Sequence, residues 1–102
     1  MVNMMKLMKQ AQSMQQNMQK LQAELAEREY EFSSGGGVVT AVVKGDMTLQ
    51  QITVNPSAVD PSDVEMLQDL ILAAVNGALG TAREASAAEM AKLTGGLGIP
   101  GL

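Results

Sequence analysis

The chain reads as one α+β domain ordered α-β-β-β-α, a three-stranded antiparallel sheet flanked by a long N-terminal helix and a long C-terminal helix. Three observations predict it. Met4, Leu7, Ala11, Met14, Met18, Leu21 and Leu25 alternate gaps of three and four, the spacing of a helix with one narrow apolar seam. Short β-prone runs punctuated by glycine and Asn-Pro occupy residues 29–55. A second apolar stripe at helical spacing then runs through Val64, Leu67, Ile71, Ala74, Val75, Ala78 and Ala82.

The first helix is expected as an arm over residues 1–28, with mostly Gln, Lys, Asn and Ser between the seam positions and no Gly or Pro before Gly35. The helix could extend for about 24 residues, or roughly 36 Å. That is long for so small a domain, so the seam of Met4, Leu7, Met14, Met18, Leu21 and Leu25 predicts a partner and hence an oligomer. Glu24, Glu27, Glu29 and Glu31 crowd its C-terminal end, where acids oppose the helix dipole, so fraying is expected there.

Tyr30-Glu31-Phe32-Ser33 alternates large apolar with polar, which predicts a strand with one buried face. Ser34-Gly35-Gly36-Gly37 is a turn. Residues 38–43 are apolar on both parities, the pattern of a central strand covered on both faces, with Val39 and Val43 joining the packing residues. Gly45-Asp46 marks the next turn. Leu49 and Ile52 fall out of step on the third strand, which predicts a bulge near Gln50-Gln51, and Asn55-Pro56 stops the strand. One helix layer covers one face of this meander, and a twofold-related sheet or helix is expected on the other.

Asp60-Pro61-Ser62-Asp63 predicts a helix over 61–93, with Asp60 as N-cap and Pro61 in the first helical position. Gly77 and Gly80 are weak points in it, each unfavourable by about 1 kcal/mol relative to alanine. Residues 94–102 read as a non-helical Gly/Pro tail.

Composition narrows the chemistry. The chain has 102 residues, nine Met, two aromatics, no Cys and no His, and a net charge of −4. Without Cys or His there is no disulfide framework, no thiol nucleophile and no common general base. Ser33 and Ser34 therefore lack an activating base. Gly35–Gly37 lacks the Lys-Ser/Thr ending of a phosphate loop. Asp60, Asp63 and Glu65 are explained by a helix start rather than a cation. No catalytic residue, metal or cofactor is expected. No apolar run is long enough to cross a bilayer and no apolar leader follows the N-terminus, so a cytoplasmic protein without membrane contact is expected. The charge is uneven. Residues 1–22 hold Lys6, Lys9 and Lys20 and no acid, whereas residues 23–102 hold four basic and eleven acidic residues.

These elements in this order resemble the YbaB/EbfC family of bacterial nucleoid-associated proteins, over nearly the whole chain. Residues 7–12 followed by Met14, Met18 and Leu21 resemble the family's first helix. Gly35-Gly36-Gly37-Val38-Val39 resembles its glycine turn and central strand. Residues 66–70, then Ala73-Ala74-Val75-Asn76 and Ala78, resemble its most characteristic helix, and Glu89-Met90-Ala91-Lys92 and the 96–101 tail also fit. The resemblance implies a tweezer-like homodimer that binds double-stranded DNA in the bacterial nucleoid.

Two positions depart from the family pattern. Gly77 stands where an acid often follows the Asn of the second helix. Beyond it, where several relatives are densely basic, only Arg83 and Lys92 remain. The candidate DNA contacts are thus Lys6, Lys9 and Lys20 on the arm, with Arg83 and Lys92. All suit phosphates, which position a protein without reading sequence. No helix-turn-helix, zinc set or aromatic platform is present, so little base specificity is expected. The alternative is an acidic dimeric adaptor for a recombination or replication protein, with little DNA contact of its own.

Overall fold

A computed structural model describes residues 3–96. Helix α1 spans Met4–Glu27, and the Asn3 side chain caps it by accepting the Lys6 N–H at 3.2 Å. Strands β1 (Glu29–Ser34), β2 (Val39–Lys44) and β3 (Leu49–Val54) form one antiparallel sheet in that order. A short 3-10 turn, Pro56–Ala58, leads toward helix α2, Val64–Gly96. The α-β-β-β-α order predicted from sequence is the order observed.

The register follows the residue pattern. Ser34 pairs with Val39 across the glycine turn, where Gly35, Gly36 and Gly37 all have positive φ (60°, 72° and 98°). Three consecutive residues with positive φ carry little steric cost only when all are glycine, which has no Cβ. On the other side, Val42 pairs with Gln51 and Val43 with Leu49, so Gln50 is the extra residue of a bulge, within the predicted pair.

The core lies between the sheet and α2. Val39, Ala41 and Val43 alternate toward the helix and are fully buried, as are Ala74, Ala78 and Ala82 facing them. Small alanines let the helix approach the sheet closely. Ser34 Oγ donates to the Leu70 carbonyl at 2.6 Å, and the ring of Phe32 lies where a Cβ on Gly77 would stand. Both contacts fix α2 over β1 and β2. Tyr30 packs against the same core, and its hydroxyl is buried without a partner among the described residues.

Two expectations need correction, whereas α2 covers one face of the central strand as expected. Its other face presents Thr40, Val42 and Lys44, half-buried, with the Ser33 and Thr40 hydroxyls bonded at 2.8 Å, so Val42 is its one apolar member. The Tyr30 and Phe32 face of β1 does turn toward α2, but Tyr30 is half-buried and Phe32 stays exposed, because β1 is an edge strand.

The second correction concerns α2, which starts three residues later than Asp60-Pro61 suggests. Asp60 accepts the Ser62 N–H and hydroxyl in a preceding turn, which leaves Asp63 to cap the helix through the Met66 N–H at 3.1 Å. At its far end the helix runs on through Thr94, Gly95 and Gly96, and the rest of the expected tail lies outside the described residues.

Helix α1 shares none of this packing. Residues 3–17 are all exposed, and only Leu25, near its end, is buried. The foot of the arm is held by backbone bonds: the Gly45 N–H donates to Arg28 and the Asp46 N–H to Ala26. The molecule measures 77 × 25 × 16 Å. Since α2 accounts for about 50 Å of length, the arm leads away from the body.

Candidate nucleic-acid interface

Helical geometry places Lys6, Lys9 and Lys20 in one stripe. At about 100° per residue they fall within roughly 60° of one another, some 140° round the helix from the Met4–Leu25 seam. Lys6 and Lys20 lie about 21 Å apart along the axis at 1.5 Å per residue. The stripe also carries Ser13, Gln16 and Asn17, which can donate to phosphate oxygens but hold no charge. None of the three lysines makes an ion pair among the described residues, and α1 has no acid before Glu24. The stripe is a free line of positive charge on a projecting rod.

The basic residues of α2 stand differently. Arg83 is exposed on the face turned away from the sheet, half a turn round from the buried Ala74–Ala82 line. Lys92, two and a half turns further on, lies 3.9 Å from Glu89. Glu89 in turn lies 3.6 Å from Arg28 at the foot of the arm. Lys92 therefore approaches the root of α1 and shares one carboxylate with Arg28. The structure does not gather the five candidates into a single pocket: three line the arm, one sits near its root, and Arg83 stands apart.

Two further basic residues, Arg28 and Lys44, were not among the candidate DNA contacts. Both are engaged. Lys44 Nζ donates to Glu27 Oε2 at 3.0 Å, and that carboxylate raises the lysine's pKa through the hydrogen bond first and its charge second. Such exposed pairs contribute little stability, but they remove positive charge from the foot of the arm.

The seam residues divide along the arm. Met4, Leu7 and Met14 are exposed, Met18 and Leu21 half-buried, and Leu25 buried, while Val39 and Val43 lie in the core under α2. On the body, β3 is left beyond the cover of α2, so Leu49 and Ile52 stay exposed. On the flank of α2 turned from β1, Leu72 is exposed as well. Among the described residues no three His, Cys, Asp or Glu side chains could hold a metal ion. No helix among them is long and apolar enough to cross a membrane.

The chain is 58% identical over 101 residues to a nucleoid-associated protein of Clostridium novyi, covering 99% of this chain and 89% of the relative. It is 57% identical over 101 residues to one of Acetivibrio thermocellus, covering 98% and 89%. The fold matches the crystal structure of an uncharacterized protein, HP0035, from Helicobacter pylori, with a TM-score of 0.73 and 18% identity over 92% of this chain and 99% of that one. Residues 1–97 match the model of the YbaB/EbfC DNA-binding family, and the chain belongs to that family.

Proposed function

We propose that the protein works as a homodimer that binds duplex DNA through the two basic arms, with little sequence preference, and so helps organise the nucleoid and influences gene expression. The observation that carries this reading is the unpaired Lys6, Lys9 and Lys20 stripe on a rod that packs against nothing over residues 3–17. A stripe of cations without base-reading side chains suits a phosphate backbone. The relatives' description as nucleoid-associated proteins supports the same setting and a cytoplasmic location. The family is not an enzyme family, and the absence of His and Cys from the chain fits a binding role.

A dimer is supported by surface the single chain leaves open. The exposed half of the α1 seam and the uncovered Leu49, Ile52 and Leu72 are apolar areas that water does not favour. A dimer doubles the arm lysines to six, so phosphate contacts release several counterions and binding weakens steeply with salt.

Fluorescence anisotropy on a labelled duplex, with the protein's mass measured in solution, tests the reading. Binding at a Kd of about 10⁻⁴–10⁻⁶ M at low salt, falling about a thousandfold or more between 50 and 200 mM, is expected. Replacing Lys6→Glu and Lys9→Glu together should abolish binding and leave the dimer intact. Affinity indifferent to that double change would refute the assignment of the arm.

A further inference from the structure

The arm carries a second exposed strip that neither its seam nor its lysine stripe uses. Met5 and Met8 are 71% and 61% exposed and lie between the two, beside Lys9. Together with Gln12 they line a shallow groove on the arm's surface. Met is flexible and adapts to irregular apolar surfaces. With Lys6 and Lys9 at its border, this strip suits a partner surface that is apolar at its centre and acidic around it.

The chain itself presents such a surface. Residues 45–82 contain five acids and no Lys or Arg. At the start of α2, Asp63, Glu65 and Asp69 surround Met66 and Leu70 in a shallow hollow. The three acids make no ion pair among the described residues, and Met66 is exposed. Arm and hollow lie at opposite ends. Strand β1 runs antiparallel along α2, with Ser34 against Leu70 at one end and Arg28 against Glu89 at the other. Helix α1 departs from the Arg28 end with residues 3–17 free of the body. An arm therefore cannot reach its own hollow.

We propose that the Met5–Met8–Lys9 strip of one molecule docks on the Asp63–Glu65–Met66–Asp69 hollow of a second copy, head to tail. Lys6 and Lys9 meet the acids, and the two methionines cover Met66 and Leu70. A contact between two different patches is head-to-tail, so it builds rings or open chains larger than the basal oligomer. The strip lies off the seam, so the contact adds to the proposed dimer rather than replacing it. Because it uses Lys6 and Lys9, duplex DNA competes with it. The inference does not require that DNA binds.

Sedimentation velocity without DNA, at about 50 and 500 mM salt, tests it. The unaltered protein should show species larger than its basal oligomer at low salt that dissolve at high salt. Glu65→Lys with Asp69→Lys should remove them while leaving duplex binding intact. Adding Lys6→Glu and Lys9→Glu to that variant restores opposite charge across the contact, so the large species should return although DNA binding is lost. The proposal is overturned if no large species form at low salt, if they persist in the hollow variant, or if the charge exchange fails to bring them back. Loss of DNA binding in the arm variants bears only on the proposed function, so the two readings fail separately.

Discussion

Helix α2 buries Ala74, Ala78 and Ala82 completely against the sheet, whereas α1, with an equally regular apolar spacing, leaves Met4, Leu7 and Met14 between 46% and 68% exposed. Spacing alone does not distinguish them, since both patterns put apolar residues on one face at helical intervals. Side-chain size and surroundings do. Alanines permit close approach to Val39, Ala41 and Val43, which the chain supplies on β2. The larger seam of α1 finds no such surface within its own chain. One helix is the wall of a core, and the other leaves most of its seam open to solvent.

The largest expected effect tests the wall. Ala78→Asp would place an unpaired charge among fully buried side chains, a loss of about 3–5 kcal/mol, and for a domain this small thermal melting should find it largely unfolded at 25 °C. The matching change on the arm, Met14→Asp, should leave the melting of the core almost unchanged. Its effect should appear instead in solution mass, with the proposed dimer weakened by about 2 kcal/mol per chain. If the core melted as early as in Ala78→Asp, the arm would be part of the fold and not an interface.

A smaller pair of effects sharpens the picture within α2. A Cβ on Gly77 would collide with the ring of Phe32, whereas one on Gly80 meets nothing within 4 Å. Gly77→Ala should therefore destabilise by about 1–3 kcal/mol through overpacking. Gly80→Ala should stabilise by up to about 1 kcal/mol by removing glycine's unfavourable helix propensity. Denaturant titration of the two variants should give shifts of opposite sign.

The smallest effects come from exposed charges. Thr48 holds the Asp46 carboxyl below the usual carboxylate range, through its hydroxyl and its N–H. Ser62 does the same to Asp60. Groups whose folded pKa is depressed add stability above their unfolded value near 3.8, and that stability is lost as pH falls through the folded value. Lys44, raised by Glu27, works in reverse: its contribution is present below about pH 10.5 and lost as pH rises past the folded value. Melting temperature should stay nearly flat between pH 5 and 9, a range in which no His titrates.

Much of the fold was legible because it rests on local rules. The three-and-four spacing located α1, the run Gly35–Gly37 located a turn that needs three positive φ angles, and the broken parity of Leu49 and Ile52 located the bulge at Gln50. The start of α2 was misread because Asp60 and Asp63 both offer an oxygen to nearby N–H groups, and only the folded backbone decides which one caps. The end was misread because glycine weakens a helix by about 1 kcal/mol without forbidding it. The interface was legible in part. The lysine stripe follows from local spacing, but the sharing of Glu89 by Arg28 and Lys92 joins residues far apart in sequence and appears only when β1 lies along α2.

Tyr30 gives the molecule an optical property of its own. The chain has no Trp and a single Tyr, and that ring sits between β1 and α2, within the core and away from the projecting arm. Its ultraviolet emission is therefore a single-site report on whether the sheet and α2 remain docked. A ligand that engages only the arms should leave that signal steady, while loss of the core should change it. Occupancy and unfolding can thus be followed independently in one unlabelled sample.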